Sequence, residues 1–261
     1  MSTNLLKRII WKVPNTFCPQ HSMHEYELIL KAALAQGYKF LTLGELSRMA
    51  RAPETPFIIL RHDIDTDPKA ALRFAQIELA NNARGTYFFR RCTWNPTVMD
   101  KLFRQNHEVG YHYEELSDYA KAKHLKQKEL ILPHLSDIRE IFAHNLNTLR
   151  STVQSPLTCA AAHGDFTYPT IDLGNKLFMQ DIQFRSYLGI EYEAYDSELV
   201  QKYGHHISDK PAPQNYYPGS PLELIYQKES FLFLSHPRWW IPNPRENIKA
   251  DVMANLQRLL W

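Results

Sequence analysis

The sequence has 261 residues, of which 44% are hydrophobic and 22% are charged, and this is the composition of a globular protein. Its formal net charge of +2 argues against nucleic acid or an acidic substrate as the principal partner. No stretch approaches the length of apolar sequence that a membrane-spanning helix needs, so we expect no membrane insertion.

The three cysteines, Cys18, Cys92 and Cys159, show no short spacing, which argues against a disulfide framework or a cysteine-based zinc site. The N-terminal segment MSTNLLKRIIWKVPNTF lacks the long apolar run and small-residue cleavage site of a secretion signal. We therefore expect a soluble, cytoplasmic protein. Glycine is scarce and no repeat is visible, which favours a single domain over residues 1–261.

The predicted elements alternate between helices and strands along the chain. In chain order, the predicted helices are HEYELILKAALAQGY, LGELSRMAR, DPKAALRFAQIELANNA, TVMDKLFRQN and LPHLSDIREIFAHNL. The predicted strands are KFLTL, FIIL (57–60), GTYFFR (85–90), HEVGYH, LTCAAAH (157–163), FRSY (184–187) and FLFLSHP (231–237). This alternation predicts an α/β fold with a parallel sheet, and the length suits one α/β barrel.

Acids and histidines recur where the predicted strands end. Asp63 and Asp65 follow the strand 57–60, while His112, His163 and His236 end or follow three later strands. The carboxyl ends of parallel strands form the active face of α/β proteins, so we expect these side chains to share one mouth.

Asp63 and Asp65 are two positions apart, so on an extended chain both point to the same side, about 6–7 Å apart. Two carboxylates this close repel each other unless a cation lies beside them. Carboxylate and imidazole are ligands of zinc, and Asp65, His112 and His163 would leave one coordination position open. Each residue also has a purely structural interpretation, as a helix cap, a turn residue or a hydrogen-bonding histidine.

The segments LRHDID, RGTYFF, NHEVGYHYE and LFLSHP, in this order, resemble the motifs of the NodB-type polysaccharide deacetylases. The chain is most similar to a cytoplasmic branch whose first motif reads Arg-His-Asp-x-Asp. The resemblance implies a distorted (β/α)7 barrel and metal-dependent hydrolysis of an amide-linked acyl group.

The resemblance also assigns roles to individual residues. Asp63 matches the general base that activates water, His112 matches a metal-ligand histidine, and His236 matches the general acid. The family's second aspartate falls on Ile64, so its role as a ligand passes to Asp65 or is merged into that of Asp63. The family's second ligand histidine falls on Leu116, which cannot bind a metal. We expect His163 to take its place.

Three further residues are predicted to contact the substrate. Arg61 would hold the acids or bind an anionic substrate, with a structural ion pair as the alternative. Glu114 would contact the substrate, and Glu114 and Glu115 are weaker candidates than His163 for the place of the missing ligand histidine. Trp239 would stack on a sugar ring, with core packing as the alternative. Glu191 and Asp209 would line the site or serve structure, and we expect His205 and His206 to be loop residues.

Together these observations predict a zinc-dependent hydrolase that removes an N-acyl group, acetyl or formyl, from an amino sugar or a surface-glycan precursor. Its partner would be a sugar or another small molecule, and its oligomeric state is left open. One alternative is a hydrolase of other C–N bonds on the same fold. The other is a carbohydrate-binding relative that lost catalysis when leucine replaced the ligand histidine.

Overall fold

The structure is a computed structural model of the chain, and it describes residues 21–211 and 214–261. Cys18 and the N-terminal segment considered above lie outside the described residues. None of the described helices is long and apolar enough to cross a membrane.

The described chain alternates between helices and strands, as predicted. The strands are β1 (Lys39–Leu41), β2 (Phe57–Ile64), β3 (Thr86–Phe89), β4 (Glu108–Tyr113), β5 (Cys159–Ala162), β6 (Tyr192–Glu193), β7 (His205–Asp209), β8 (Tyr216–Tyr217) and β9 (Phe231–Ser235). The helices are α1 (Met23–Ala35), α2 (Leu43–Arg48), α3 (Ala71–Ala80), α4 (Pro96–Arg104), α5 (Glu115–Ala122), α6 (Lys128–Ile131), α7 (Leu135–Arg150), α8 (Tyr168–Ile171), α9 (Ile182–Tyr187), α10 (Ser197–Tyr203), α11 (Pro221–Gln227) and α12 (Pro244–Leu260).

The nine strands form one sheet in the order β6-β5-β4-β3-β2-β9-β7-β8, and β1 pairs with the first half of β2. Every pair is parallel except β7 with β8. The predicted α/β fold with a parallel sheet is therefore confirmed. Within the described ranges, the pairing runs as an open path from β6 to β8.

Both faces of the sheet are covered, which is why β2 is buried along its whole length. Ile58 and Leu60 belong to an outer core that the larger helices cover. Phe57 and Ile59 alternate with them and belong to a smaller inner core, to which α2 and α10 also contribute. The pleat therefore decides which side chains of β2 face the interior of the fold.

A buried polar network on the outer face accounts for His62. Its Nε2 and Nδ1 lie 2.6 Å from Glu78 Oε1 and Ser235 Oγ, respectively. The hydroxyls of Tyr26 and Tyr87 donate to the same carboxylate, at 2.6 and 2.8 Å. Buried polar groups need such partners. His62, the histidine of the Arg-His-Asp-x-Asp motif, therefore links β2 to α1, α3 and β3, and its side chain does not lie on the inner face.

Two sequence predictions about elements were wrong. FRSY (184–187) lies in helix α9, because the Asp181 side chain accepts a hydrogen bond from the Phe184 N–H and caps a helical turn. His205 and His206 are in strand β7, which pairs with β9, and not in a loop. The short strands β6 and β8 and the long helix α12 had no predicted counterpart.

Candidate active site

The inner face of the sheet ends in a cluster of acids and histidines. Asp63 lies within β2, which extends to Ile64, four residues beyond the predicted strand 57–60. Arg61 and Asp63 have the same parity as Phe57 and Ile59, so the pleat directs them to the inner face. His112 is likewise within β4, whereas Asp65, His163 and His236 directly follow β2, β5 and β9, respectively.

Asp65, His112 and His163 lie close enough together to bind one ion. A ligand atom from each lies within 4.8 Å of the ligand atoms of the other two. Asp65 Oδ1 is 3.7 Å from His112 Nε2 and also 3.7 Å from His163 Nε2. The structure thus brings together the three residues that were predicted as ligands.

The orientation of His112 suits a ligand. Its Nδ1–H donates to the carbonyl oxygen of Ala161 at 2.9 Å, which leaves Nε2 without a proton and facing the two acids. Burial lowers the pKa of His112 to about 4, although Asp63 opposes this effect. The imidazole is therefore neutral at pH 7, and the neutral form is the one that binds a metal.

A charged pair, Glu114 with Arg90, lies beside His163. The His163 Nδ1 lies 3.2 Å from Glu114 Oε2, and the Arg90 guanidinium donates to both oxygens of Glu114, at 3.2 and 2.6 Å. His163 Nδ1 is buried and has no hydrogen-bond partner among the described residues, so Glu114 is a charged neighbour of the ring and does not fix its tautomer through a hydrogen bond. Glu114 pairs with Arg90, and its predicted contact with substrate stays a prediction. Leu116 is fully buried in the outer core, away from the cluster.

The residues present fit a divalent metal ion. Asp65 Oδ1 is buried and has no hydrogen-bond partner among the described residues, although it faces two imidazole nitrogens. A buried charged oxygen without a partner is costly, and a cation among these three ligands removes that cost. Burial would raise the pKa of Asp65, but His163 and His112 outweigh it and lower the pKa, so the carboxylate is ionised.

Asp63 lies beside the cluster but is bound differently. The Arg61 Nε and Nη2 donate to its two oxygens at 2.8 and 2.9 Å, and its Oδ2 is 3.3 Å from His112 Nε2. Burial would raise the pKa of Asp63, but Arg61 outweighs it and holds the pKa well below its usual range. Arg61 also donates to the Tyr195 hydroxyl at 3.1 Å.

Arg61 is fully buried, and its guanidinium holds Asp63, as one of the two predicted roles required. Binding of an anionic substrate by this residue stays a prediction. The alternative interpretation, a structural ion pair, describes what the structure shows.

His236 forms a second oriented pair, with Asp209. The two side chains approach to 2.6 Å between Nδ1 and Oδ1, and the His236 backbone N–H donates to Oδ2 at 2.6 Å. Trp240 Nε1–H donates to Oδ2 as well, at 2.7 Å. Burial would lower the pKa of His236, but Asp209 outweighs it and raises the pKa to about 9. At pH 7 this imidazole therefore carries a proton that it can donate.

Two further residues singled out in the sequence, Trp239 and Glu191, each contact an arginine side chain. Trp239 lies in the turn after β9, with the Arg238 guanidinium 4.6 Å from its ring centroid, and its contact with a sugar stays a prediction. Glu191 pairs with Arg48 at the surface. Arg90 and Tyr195 support the cluster and were not predicted. Arg90 directly follows GTYFF. Its position at the end of a strand was the signal that could have indicated its role beside the cluster.

Comparisons with known proteins give a distant structural likeness. No protein-family model matches the chain, and no curated protein matches it. Among solved structures, a CE4 family pseudoenzyme from Bacillus anthracis is 13% identical, with a TM-score of 0.42, over 78% of this chain and 62% of its own. A mutant of that pseudoenzyme with restored enzymatic activity has a TM-score of 0.43 at 13% identity, over 79% of this chain and 65% of its own. This chain thus spans less than two thirds of the length of these structures.

Proposed function

We propose that this chain is a metal-dependent amide hydrolase that removes an N-acyl group from an amino sugar or a surface-glycan precursor. The observation that carries the proposal is the convergence of Asp65, His112 and His163 around one buried carboxylate oxygen that has no hydrogen-bond partner among the described residues. The fold expected with this function, a distorted (β/α)7 barrel, is part of the same proposal.

The donor set of one carboxylate and two imidazoles fits zinc with an open coordination position. A divalent metal held by Asp65, His112 and His163 would supply Lewis acidity, which polarises an acyl carbonyl and makes water a stronger acid.

Asp63 and His236 have the properties that the two proton transfers need. Asp63 is ionised and held by Arg61, so its carboxylate is a fixed acceptor for the proton of an attacking water. Arg61 also lowers the basicity of Asp63. Asp63 therefore accepts that proton only from a water molecule whose pKa has been lowered. His236 is protonated at pH 7 through Asp209 and can donate to the departing nitrogen.

The proposal is tested by the release of acyl groups from a panel of N-acetyl and N-formyl amino sugars and nucleotide sugars, with zinc-loaded protein. We expect turnover that chelation abolishes, and a loss of at least about 10²-fold in Asp63→Asn, the usual contribution of a general base. Glu191→Gln is the matched control, since this acid pairs with Arg48 at the surface.

The outcomes separate this function from its rivals. A zinc-binding protein that cleaves other amides but no N-acyl sugar would be the hydrolase of different bond specificity. A protein that binds these sugars without zinc or turnover would be the non-catalytic relative. Full activity in Asp63→Asn would remove this carboxylate from the mechanism.

A further inference from the structure

Helix α12 (Pro244–Leu260) carries its large hydrophobic side chains on the outside of the protein. All six of them are 46–74% exposed, and they are Ile248, Val252, Met253, Leu256, Leu259 and Leu260. The described residues include nineteen exposed large hydrophobic side chains, so this one helix holds about a third of them. The side of α12 that faces the protein is instead small and polar, with Asn247 buried and Ala250 and Ala254 partly buried.

The spacing of the hydrophobic residues places them on one side of the helix. Ile248, Val252 and Leu256 follow one another at intervals of four residues and form a row along the helix. Leu259 extends this row three residues later, and Met253 lies beside it. We call the six side chains the α12 apolar face. A monomeric protein seldom exposes so many adjacent apolar side chains unless they bind something.

Hydrogen bonds at both ends of α12 fix which side of the helix faces outwards. Near its start, the Thr66 hydroxyl donates to Asn247 Oδ1 at 3.2 Å. Beyond its end, Trp261 Nε1–H donates to the Ala120 carbonyl oxygen at 3.4 Å. The loop after β2 and helix α5 therefore hold the polar side of α12 against the protein, and the α12 apolar face cannot turn inwards without breaking these bonds.

The exposed charged residues of α12 are all basic. Arg245, Lys249 and Arg258 are exposed. The two acids of the helix, Glu246 and Asp251, are only partly exposed, and each pairs with a neighbouring base. The outward side of α12 thus combines apolar contact with positive charge.

The loop after α5 continues this positive charge around the end of α12. Lys126 lies beside Trp261, with its Nζ 5.2 Å from the centroid of the indole ring. Lys123 is exposed in the same loop. The segment 121–128 contains four lysines and no acid, so it adds cations near the α12 apolar face without adding negative charge.

An apolar face bordered by exposed cations fits the surface of an anionic membrane. Lipid acyl chains accept aliphatic side chains, and anionic headgroups accept lysine and arginine, whose long stems can lie along the apolar region. A second copy of this chain fits less well, because in a symmetric pair its α12 would bring the same exposed cations and no fully exposed acid. We propose that the α12 apolar face and the cations around it bind the surface of an anionic membrane without spanning it.

Such binding would bring the lipid surface close to the candidate active site. Ala250 and Ala254, on the other side of the same helix, line a cavity that also includes Asp65. A membrane bound to the outward side of α12 would therefore lie one helix away from the candidate metal ligands. The membrane binding itself does not depend on the proposed hydrolase function.

The test is co-sedimentation of the full chain with lipid vesicles, which requires neither a metal nor turnover. One kind of vesicle consists of phosphatidylcholine alone, and the other also contains the anionic lipid phosphatidylglycerol. We expect binding to be at least about tenfold tighter on the anionic vesicles, because each lysine or arginine near such a surface strengthens binding about fivefold. High salt should remove this difference, since it screens exposed charges.

Two double variants separate the apolar contribution from the electrostatic one. Leu256→Gln with Leu259→Gln removes apolar contact without changing the charge, and it should weaken binding to anionic vesicles at least about tenfold. Arg245→Gln with Lys249→Gln keeps the α12 apolar face and should remove most of the preference for anionic vesicles.

The matched control is Ile182→Gln with Tyr226→Gln, because these side chains are also exposed but lie on α9 and α11, and it should bind like the unmodified chain. Absence of binding to anionic vesicles, or equal binding to both kinds of vesicle, would overturn the proposal. So would unchanged binding in Leu256→Gln with Leu259→Gln. Size-exclusion chromatography with light scattering, without lipid, tests the rival occupant: a dimer that the two leucine substitutions dissociate would assign the α12 apolar face to a second copy instead.

Discussion

Asp63 and Asp65 show how neighbouring residues can give two identical side chains different chemistry. Both carboxylates are ionised, but for different reasons. The pKa of Asp63 is lowered chiefly by Arg61, which occupies both of its oxygens, and the pKa of Asp65 is lowered chiefly by His163. Asp65 keeps a buried oxygen without a hydrogen-bond partner in the described chain and is therefore the one suited to a metal.

The pair of His236 and Asp209 predicts a specific dependence of stability on pH. The pKa of His236 is raised to about 9 in the folded protein, from about 6.5 when unfolded. The pair therefore contributes its full stabilisation below pH 6.5, and the contribution is lost as the pH rises through 9. This difference in pKa corresponds to at most about 3 kcal/mol.

Urea unfolding of wild type and Asp209→Asn, both free of metal, at pH 6, 7.5 and 9.5 measures this contribution. We expect the difference in unfolding free energy between the two proteins to shrink as the pH rises. The bonds from Asp209 to Trp240 and to the backbone add a constant that does not change with pH. A difference independent of pH would show that Asp209 does not stabilise the charged imidazole.

The sequence was informative about residues that end strands and less so about their partners. Asp65, His112 and His163 could be predicted to converge, because parallel strands end at one edge of the sheet. The contact of Glu114 with Arg90 and His163 could not, since it depends on rotamers of side chains from three separate segments. Arg61 was ambiguous because a buried and an exposed arginine look alike in sequence.

At the scale of elements, β4 depends on a glycine to keep the strands that carry the site in contact. A Cβ at Gly110 would lie 2.5 Å from Phe88 Cε1 and 2.7 Å from Cys159 Sγ, both in the inner core. These atoms belong to β3 and β5, between which β4 is paired. A side chain at this position would therefore push on both neighbouring strands, just below His112.

We expect Gly110→Ala to destabilise the protein by about 1–3 kcal/mol, the usual cost of overpacking a core. Gly174→Ala is the control, since its added Cβ would meet Tyr168 at 3.8 Å, an ordinary contact, and its backbone φ is −88°. Thermal unfolding checks both variants. Equal melting temperatures in Gly110→Ala and wild type would mean that the inner core can rearrange around an extra methyl group.

Elements with a long regular pattern were predicted well, and those decided by tertiary contacts were not. Continuous apolar runs such as FIIL mark buried parallel strands, but β2 continues through Arg61 and Asp63 because the ion pair between them makes burial possible. FRSY has the aromatic content typical of a strand, yet the cap from Asp181 starts a helix there. The strand β6 has two residues, too few for any periodic signal.

At the scale of the whole molecule, the candidate metal site joins parts of the chain that are far apart in sequence. Its three ligands come from the ends of β2, β4 and β5, and α12 then closes one side of the mouth. An ion bound by all three ligands binds the folded chain and not the unfolded one. Metal binding therefore stabilises the whole fold, and the thermal stability of the chain reports on the site without any assumption about substrate.

We expect zinc at 100 times its dissociation constant to stabilise the chain by about 2.7 kcal/mol. For a protein of about this size, that corresponds to a rise of roughly 5–10 °C in melting temperature. His163→Ala removes a ligand and should abolish the rise, whereas His205→Ala, on an exposed residue that pairs with Glu229, should keep it. An equal rise in wild type and His163→Ala would place zinc elsewhere on the chain, because a site that loses one of three protein ligands cannot keep its affinity.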